Sequence, residues 1–444
     1  MKKFTLSIIF VVALAISAVA QTADQHFKVG IGFYDKKAYD QAITSFSAAI
    51  NLNPSMSAAW FNRGQAYFYK GAFDKAIVEY SQAIKLKPDM IDGYFQRALA
   101  YSKIKNYDAS IADYSQGMRL APTDPQFWHN RALVYVDKGM PEQALGDYNE
   151  AIRLNPAYIK AYINRGAAYF RKRNYSAAMA DFTKARDLDP NLVEARYNLG
   201  QANYFLQNYD AAIASYNETL RLAPNRADAY MQRGLAYQKK RELDLAIADY
   251  TKGIAITPES ADLYHNRGNT YIDKGLTDLA MADFTKALQL NPKAARTLLA
   301  RGNAHYRAKN YDLALADFTA AIDADPNYHE ARSNRAVVYN SKGQYDLAIA
   351  DLTHAIKLAP TNTNAYKNRS ISHYQKKNYD LALADLNELI RLDPKTAHNY
   401  SMRGEVYEKK NMKDLAIADY KAAQKLDPAN AFAKSGLARL GATP

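Results

Sequence analysis

The sequence contains no cysteine. A disulfide framework, a thiolate metal site and a cysteine nucleophile are therefore excluded. There is no phosphate-binding P-loop, no G-x-S-x-G elbow and no H-E-x-x-H pair, so three widespread catalytic signatures are missing. Beyond residue 20, no stretch approaches the ~20 consecutive apolar residues that a membrane-spanning helix needs. Eight histidines are present (His26, His129, His265, His305, His329, His354, His373 and His398). None has another histidine or a carboxylate recurring at a metal-ligand spacing on one face, so no metal and no cofactor is expected. Only two tryptophans occur, but 35 tyrosines do.

The N-terminus reads as a leader. Lys2 and Lys3 precede an apolar run from Phe4 to Ile16, and Ala18-Val19-Ala20 is a small-x-small cleavage site. Residues 1–20 are therefore expected to be a cleaved signal peptide of bacterial style. The mature chain is expected to be periplasmic or extracellular, with no transmembrane segment. No cysteine follows the apolar run, which excludes a lipoprotein anchor.

Twelve of the fifteen prolines stand in one arithmetic series with a step of 34 residues: Pro54, Pro88, Pro122, Pro156, Pro190, Pro224, Pro258, Pro292, Pro326, Pro360, Pro394 and Pro428. With this proline as position 32, twelve repeats run without insertion from Ala23 to Asn430. Each reads as two helices. Positions 4, 8 and 11 share one helical face, as in Trp60, Gly64 and Tyr67; positions 20, 21, 24, 27 and 28 form a second stripe, as in Ala76, Ile77, Tyr80, Ala83 and Ile84. The break falls at positions 15 to 17, where Gly71, Gly139, Gly275 and Gly343 suit a helix C-terminus. Position 20 is alanine in eleven repeats and Ser110 in the third, which allows close helix approach; the residue at 24 is expected to fill space toward the next repeat. Residues 431–441 read as one further first-type helix that caps the array.

This pattern resembles the tetratricopeptide repeat, whose marks are a 34-residue period, an aromatic at 4, a small residue at 8, Tyr at 11, Ala at 20, an aromatic at 24, Ala at 27 and Pro at 32. The match spans residues 23 to 430. Local departures are His26, Arg196 and Arg332 at position 4, Asn203, His305 and His373 at 11, and Thr219 and Leu389 at 27. The resemblance implies an all-α, right-handed α-solenoid (a superhelix) of twelve helix–turn–helix repeats, and a non-enzymatic scaffold for protein–protein interaction.

One pattern is particular to this chain. Position 7 is arginine in ten repeats, position 23 is acidic in the same ten, and both are missing together in repeats 1 (Val29, Ser45) and 6 (Leu199, Ser215). That coincidence predicts an ion pair inside each repeat, with a bidentate arginine fork. Loss of one partner would cost up to ~3 kcal/mol at a dry site. Repeats 1 and 6 are expected to be the softer joints of the array.

The resemblance places ligand contacts at positions 2, 5, 6, 9, 12 and 13 of the first helices. Position 6 carries Asn62, Gln96, Asn130, Asn164, Asn198, Gln232, Asn266, Asn334 and Asn368. Each amide offers a donor and an acceptor, and the row resembles the asparagine ladder of the O-linked N-acetylglucosamine transferase repeat domain. It reads either as a grip on an extended peptide or as glue between helices. Phe95, Phe170 and Tyr204 add aromatic surface, among mixed charges that include Asp92, Glu194 and Arg296.

The formal charge is +13, and positions 13 to 15 of the twelve repeats hold twenty Lys/Arg against three acids. Arg171, Lys172, Arg173, Lys239, Lys240 and Arg241 are the densest part of this edge. It reads either as cations complementing helix C-termini or as a ridge for an anionic envelope polymer, a lipid surface or an acidic protein. A protein or peptide partner in the groove is the leading expectation. The alternatives are an envelope-surface, anionic glycan or lipid binder, and a structural subunit of an outer-membrane or secretion assembly. Nucleic acid is disfavoured by export and by the mixed charge of the groove.

Overall fold

The structure, a computed structural model, describes residues 22–442. The expected signal peptide lies outside the described residues. Among the described residues every regular element is an α-helix, numbered α1 (22–35) to α25 (Ala431–Arg439). They form two compact units, one ending at Pro224 and one beginning at Asn225. In each unit consecutive helices pair as antiparallel hairpins and successive hairpins stack, which is solenoid architecture.

The second repeat shows why the chain folds this way. Its first helix, α3 (Ser57–Tyr69), ends where Gly71 takes φ +77°. Gly71 N–H donates to the Phe68 carbonyl and Ala72 N–H to the Tyr67 carbonyl, both at 2.9 Å. This is a Schellman closure, which satisfies carbonyls that the helix end would orphan. The next helix, α4 (Phe73–Leu86), starts at once. Position 15 has positive φ in all twelve repeats, although it is glycine in only four of them; Lys37, Arg173, Arg241 and Lys377 are among the side chains held there.

Small residues at position 8 are required by the aromatic at 24 of the same repeat. A Cβ on Gly64 would sit 2.8 Å from the Tyr80 ring, and one on Gly268 would sit 2.7 Å from Phe284. Position 24 thus packs first on its own repeat. It also reaches position 10 of the next, as Tyr80 does with Ala100. The expected contact toward the next repeat is therefore present, beside the packing within the repeat.

All ten Arg–acid pairs form inside their repeats. In each, Nε and Nη2 donate to the two carboxylate oxygens at 2.6–3.0 Å. The aromatics at 4 and 11 flank the guanidinium: Arg131 lies 5.3 Å from the Trp128 ring and 5.6 Å from that of Tyr135. Much of the tyrosine content is thereby explained as cation–π clamps. Burial pushes the Asp147 carboxyl above its ordinary range in spite of Arg131. Burial would lower the Arg131 guanidinium, but the hydrogen bonds and charge of Asp147 outweigh it and hold it high.

Two further contacts tie neighbouring repeats. The third arm of the arginine, Nη1, donates to position 25 of the preceding repeat: Arg63 to Ser47 at 2.8 Å, Arg97 to Ser81 at 2.9 Å and Arg403 to Asn387 at 2.8 Å. The lysine at 14 pairs with the acid at 18 of the preceding repeat in Lys70–Asp40, Lys138–Asp108, Lys172–Glu142, Lys274–Asp244, Lys342–Asp312, Lys376–Asp346 and Lys410–Asp380.

Repeat 6 lacks both devices, having Leu199 and Leu206 at positions 7 and 14. Leucine stands in place of the ions there. Leu199 is buried in an apolar cluster with Tyr162, Ile163, Phe182 and Ala202 that runs through repeats 5 and 6. This seam is closed by apolar contact, where the preceding one, between repeats 4 and 5, also carries Arg165–Asn149 and Lys172–Glu142. At the other end, α25 packs Ala433 and Leu437 on Tyr420 and Ala416, and Arg439 donates twice to Glu408.

Candidate functional site

The first helices of the repeats carry pockets in both compact units. In the first unit a pocket of about 300 Å³ crosses three repeats. Its wall comprises Leu99, Ser102 and Lys103 from repeat 3, Asn130, Leu133, Val136 and Asp137 from repeat 4, and Asn164, Ala167 and Arg171 from repeat 5. These are positions 6, 9, 12 and 13; Val134 at position 10 and Tyr114 and Tyr148 at position 24 also line it. Arg171 therefore belongs to the groove face as well as to the basic edge.

In the second unit a pocket of about 320 Å³ lies between α15 (Ala261–Asp273) and α17 (Ala295–Arg307). Position 6 of repeat 9 is Ala300, the missing rung of the amide row, and it lines this pocket with Arg296, Leu299, Asn303 and Arg307. His265, Asn269 and Tyr328 complete the polar wall, and no carboxylate lines it. A second pocket of about 240 Å³ continues from it and shares Asn303 and Arg307.

His265 is locked in place. Asn269 Nδ2 donates to its Nε2 at 2.9 Å, which leaves Nδ1–H to donate to Thr297 Oγ1 at 3.0 Å. Burial, reinforced by the charge of Arg296, pushes its pKa down to about 4. His129 holds the equivalent place in repeat 4, is pushed down to about 4 by burial and by Lys160, and bonds Asn164 at 2.8 Å. Both rings are neutral and are held by these hydrogen bonds. Among the described residues no group of three His, Asp or Glu side chains could hold a metal ion.

All nine position-6 amides are half-buried. They are not equivalent rungs. Asn62 and Asn130 each donate one N–H to a carbonyl of their own helix at 2.8 Å. Asn164 bonds His129, and Asn334 donates to Asn303 Oδ1 at 2.8 Å. Gln96, Asn198, Gln232, Asn266 and Asn368 make no side-chain hydrogen bond among the described residues. In the first four, one N–H is spent internally, and the carbonyl and the second N–H of each make no other side-chain hydrogen bond among the described residues.

The aromatic candidates divide. Phe95 is half-buried and packs edge-on to Tyr114 and Phe127 at 5.6 and 5.3 Å. Phe170 and Tyr204 join a cluster in which Tyr175 stacks on the half-exposed Phe205 at 4.9 Å. The same motif recurs where Tyr39 stacks on the exposed Tyr69 at 5.7 Å. The signal for both was an aromatic at position 13 following one at position 17 of the repeat before.

The basic edge is partly spent. Lys172 pairs with Glu142, and Lys240 with Glu242 at 2.6 Å. Arg173 and Arg241 sit exposed at the left-handed turn position, and Lys239 is exposed beside them; these three make no ion pair among the described residues.

Models of the repeat match along the chain. One described as "Tetratricopeptide repeat" covers residues 197–261, 265–329, 299–363 and 367–431, more than half of the sequence. The chain belongs to the tetratricopeptide repeat family. Further models of this family match this tetratricopeptide repeat protein at 32–71, 64–105 and 133–173, at 91–124 and at 159–192. A comparison with curated proteins finds no match. Among solved structures, similar chains include one in the APC/C hetero-tetramer Cut9–Hcn1 (15% identity, 96% of this chain and 98% of that one, TM-score 0.46). Yeast Tom70 (16%, 95% and 95%, 0.42) and a tetratricopeptide repeat protein from Parabacteroides merdae (21%, 56% and 98%, 0.43) are others. Family membership rests on the sequence models and the repeat, not on these superpositions.

Proposed function

We propose that this tetratricopeptide repeat protein is a non-enzymatic scaffold that binds an extended peptide segment of a partner protein along the first helices. One observation carries the reading. Pockets in two separate units both draw on repeat positions 6, 9, 12 and 13, and amides stand in each wall, Asn130 and Asn164 in the first and Asn269 and Asn303 in the second. An extended strand displays N–H and C=O groups that such amides can bond. The pocket at Ala300 adds a preference. Two guanidinium groups with no carboxylate in the wall suit an acidic side chain of the peptide. Export of the chain is part of the proposal and rests on residues 1–20 of the sequence.

The test is an array of N-acetylated, C-amidated degenerate 12-mers, each set with one fixed central residue: Glu, Gln, Lys or Leu. The full chain is expected to retain the Glu set most strongly. N130A/N164A should weaken every set, whereas R296A/R307A should remove the Glu preference. No retention of any set above a blank would refute the groove reading. Retention shifted only by R173A/K239A/R241A would move function to the basic edge.

A further inference from the structure

The second unit carries a surface that the groove does not use. Position 19 is leucine in six consecutive repeats: Leu245, Leu279, Leu313, Leu347, Leu381 and Leu415. They stand on the second helices of repeats 7 to 12, from Leu243–Ile256 to Lys413–Leu426, and their exposure is nearly constant at 45–54%. One turn on, position 22 is alanine in all six repeats and is exposed in each, from Ala248 to Ala418. Residues three apart share a helix face, so each helix shows a leucine knob beside an alanine gap. In repeats 1 to 6 position 19 holds Gln41, Lys75, Ala109, Gln143, Ala177 and Ala211. The repeat itself therefore does not need leucine there. Singly scattered exposed leucines need no explanation, but a contiguous row does.

Four of the six acids that border the row are compensated. Position 18 beside it is aspartate throughout these repeats, and Asp244, Asp312, Asp346 and Asp380 are each paired with the lysine at 14 of the following repeat. The row itself carries no charge at position 19 or 22.

We propose that this leucine–alanine row is a self-association surface, covered by the same row of a second copy of the chain. The spacing argues for this partner. Successive rungs are one repeat apart, and an identical row is a partner of matching pitch, so all rungs can engage at once. Size argues likewise, because a leucine knob opposite an alanine gap is the complement that close packing of helices uses. Charge agrees in part, since four of the six border aspartates are paired, which limits like-charge repulsion in a two-fold contact. A two-fold, isologous contact is the commonest way such a surface closes.

Sedimentation of the full chain from 1 to 100 µM tests the idea. The chain is expected to form dimers, and L279Q/L313Q/L347Q to weaken self-association at least tenfold. Glutamine is chosen because repeats 1 and 4 already hold it at this position, so helicity and thermal midpoint should not change. A wild-type chain that stays monomeric at 100 µM, or a triple variant that associates as wild type, overturns the proposal. The absence of native cysteine allows a second measurement. Mild oxidation of L313C/L347C should give a covalent product of twice the mass, whereas A177C/A211C, at the same position in repeats 5 and 6, should give none. A monomer that instead floats with phosphatidylglycerol vesicles assigns the row to lipid and likewise overturns self-association.

Discussion

Repeat 8 offers a direct measure of what the Arg–acid pair is worth. Arg267 donates to both oxygens of Asp283 at 2.8 Å, and its third arm reaches Thr251 Oγ1 at 3.0 Å. The carboxylate side chain is only 8% exposed. R267L would leave that carboxylate buried without a counter-charge, at a cost of about 3 kcal/mol. D283S would orphan the guanidinium at a similar cost. The double variant R267L/D283S recreates the combination that repeat 6 carries naturally at Leu199 and Ser215. It should cost only about 1 kcal/mol, giving a coupling of several kcal/mol in the cycle. Because repeat arrays unfold in segments, native-state amide exchange in α15 is a better readout than a global denaturation curve. A loss of about 3 kcal/mol corresponds to exchange on the order of a hundredfold faster. If either single variant exchanges within threefold of wild type, or if the double variant loses the sum of the singles, the pair is not the structural unit described above.

Acid should act through the two buried imidazoles. His129 and His265 are held down to about 4 by burial, whereas the unfolded chain takes up the proton near 6.5. Both forms are neutral above that pH, so this stability is intact there and falls as pH drops from 6.5 to 4, by up to ~3 kcal/mol per residue. The difference between wild type and H129N/H265N in thermal midpoint should therefore shrink across that window, and a constant difference would contradict it. At position 15, R173G and R241G should each stabilise the array by about 1 kcal/mol, because only glycine adopts that left-handed backbone without a Cβ clash; a lower unfolding midpoint would refute this.

The helical hairpins were legible because period, proline and small residues all report local geometry. The Arg–acid pairs were legible for a different reason: their two joint absences showed which partner each arginine has. The ion pairs of the basic edge were not legible because their compensation lies thirty residues upstream. Lys172 meets Glu142 only when one hairpin stacks on the last, and no local window contains both. The amide row misled in the opposite sense. Residue identity made Asn62 and Asn164 look alike, but their bonds depend on whether a histidine stands nearby. The pocket at Ala300 could have been read from the one small residue interrupting that row. Leu199 looked like a deficit because only the lost ion pair was counted, and its place in an apolar cluster was not.

That last seam has a thermal consequence. Contacts among Leu199, Phe182 and Tyr162 draw on water ordering and weaken on cooling. Seams held by arginine and lysine behave otherwise, since the penalty for dehydrating charge eases as temperature rises. The joint between repeats 5 and 6 should therefore be the first to loosen in the cold, so the temperature at which the array is studied selects where it bends.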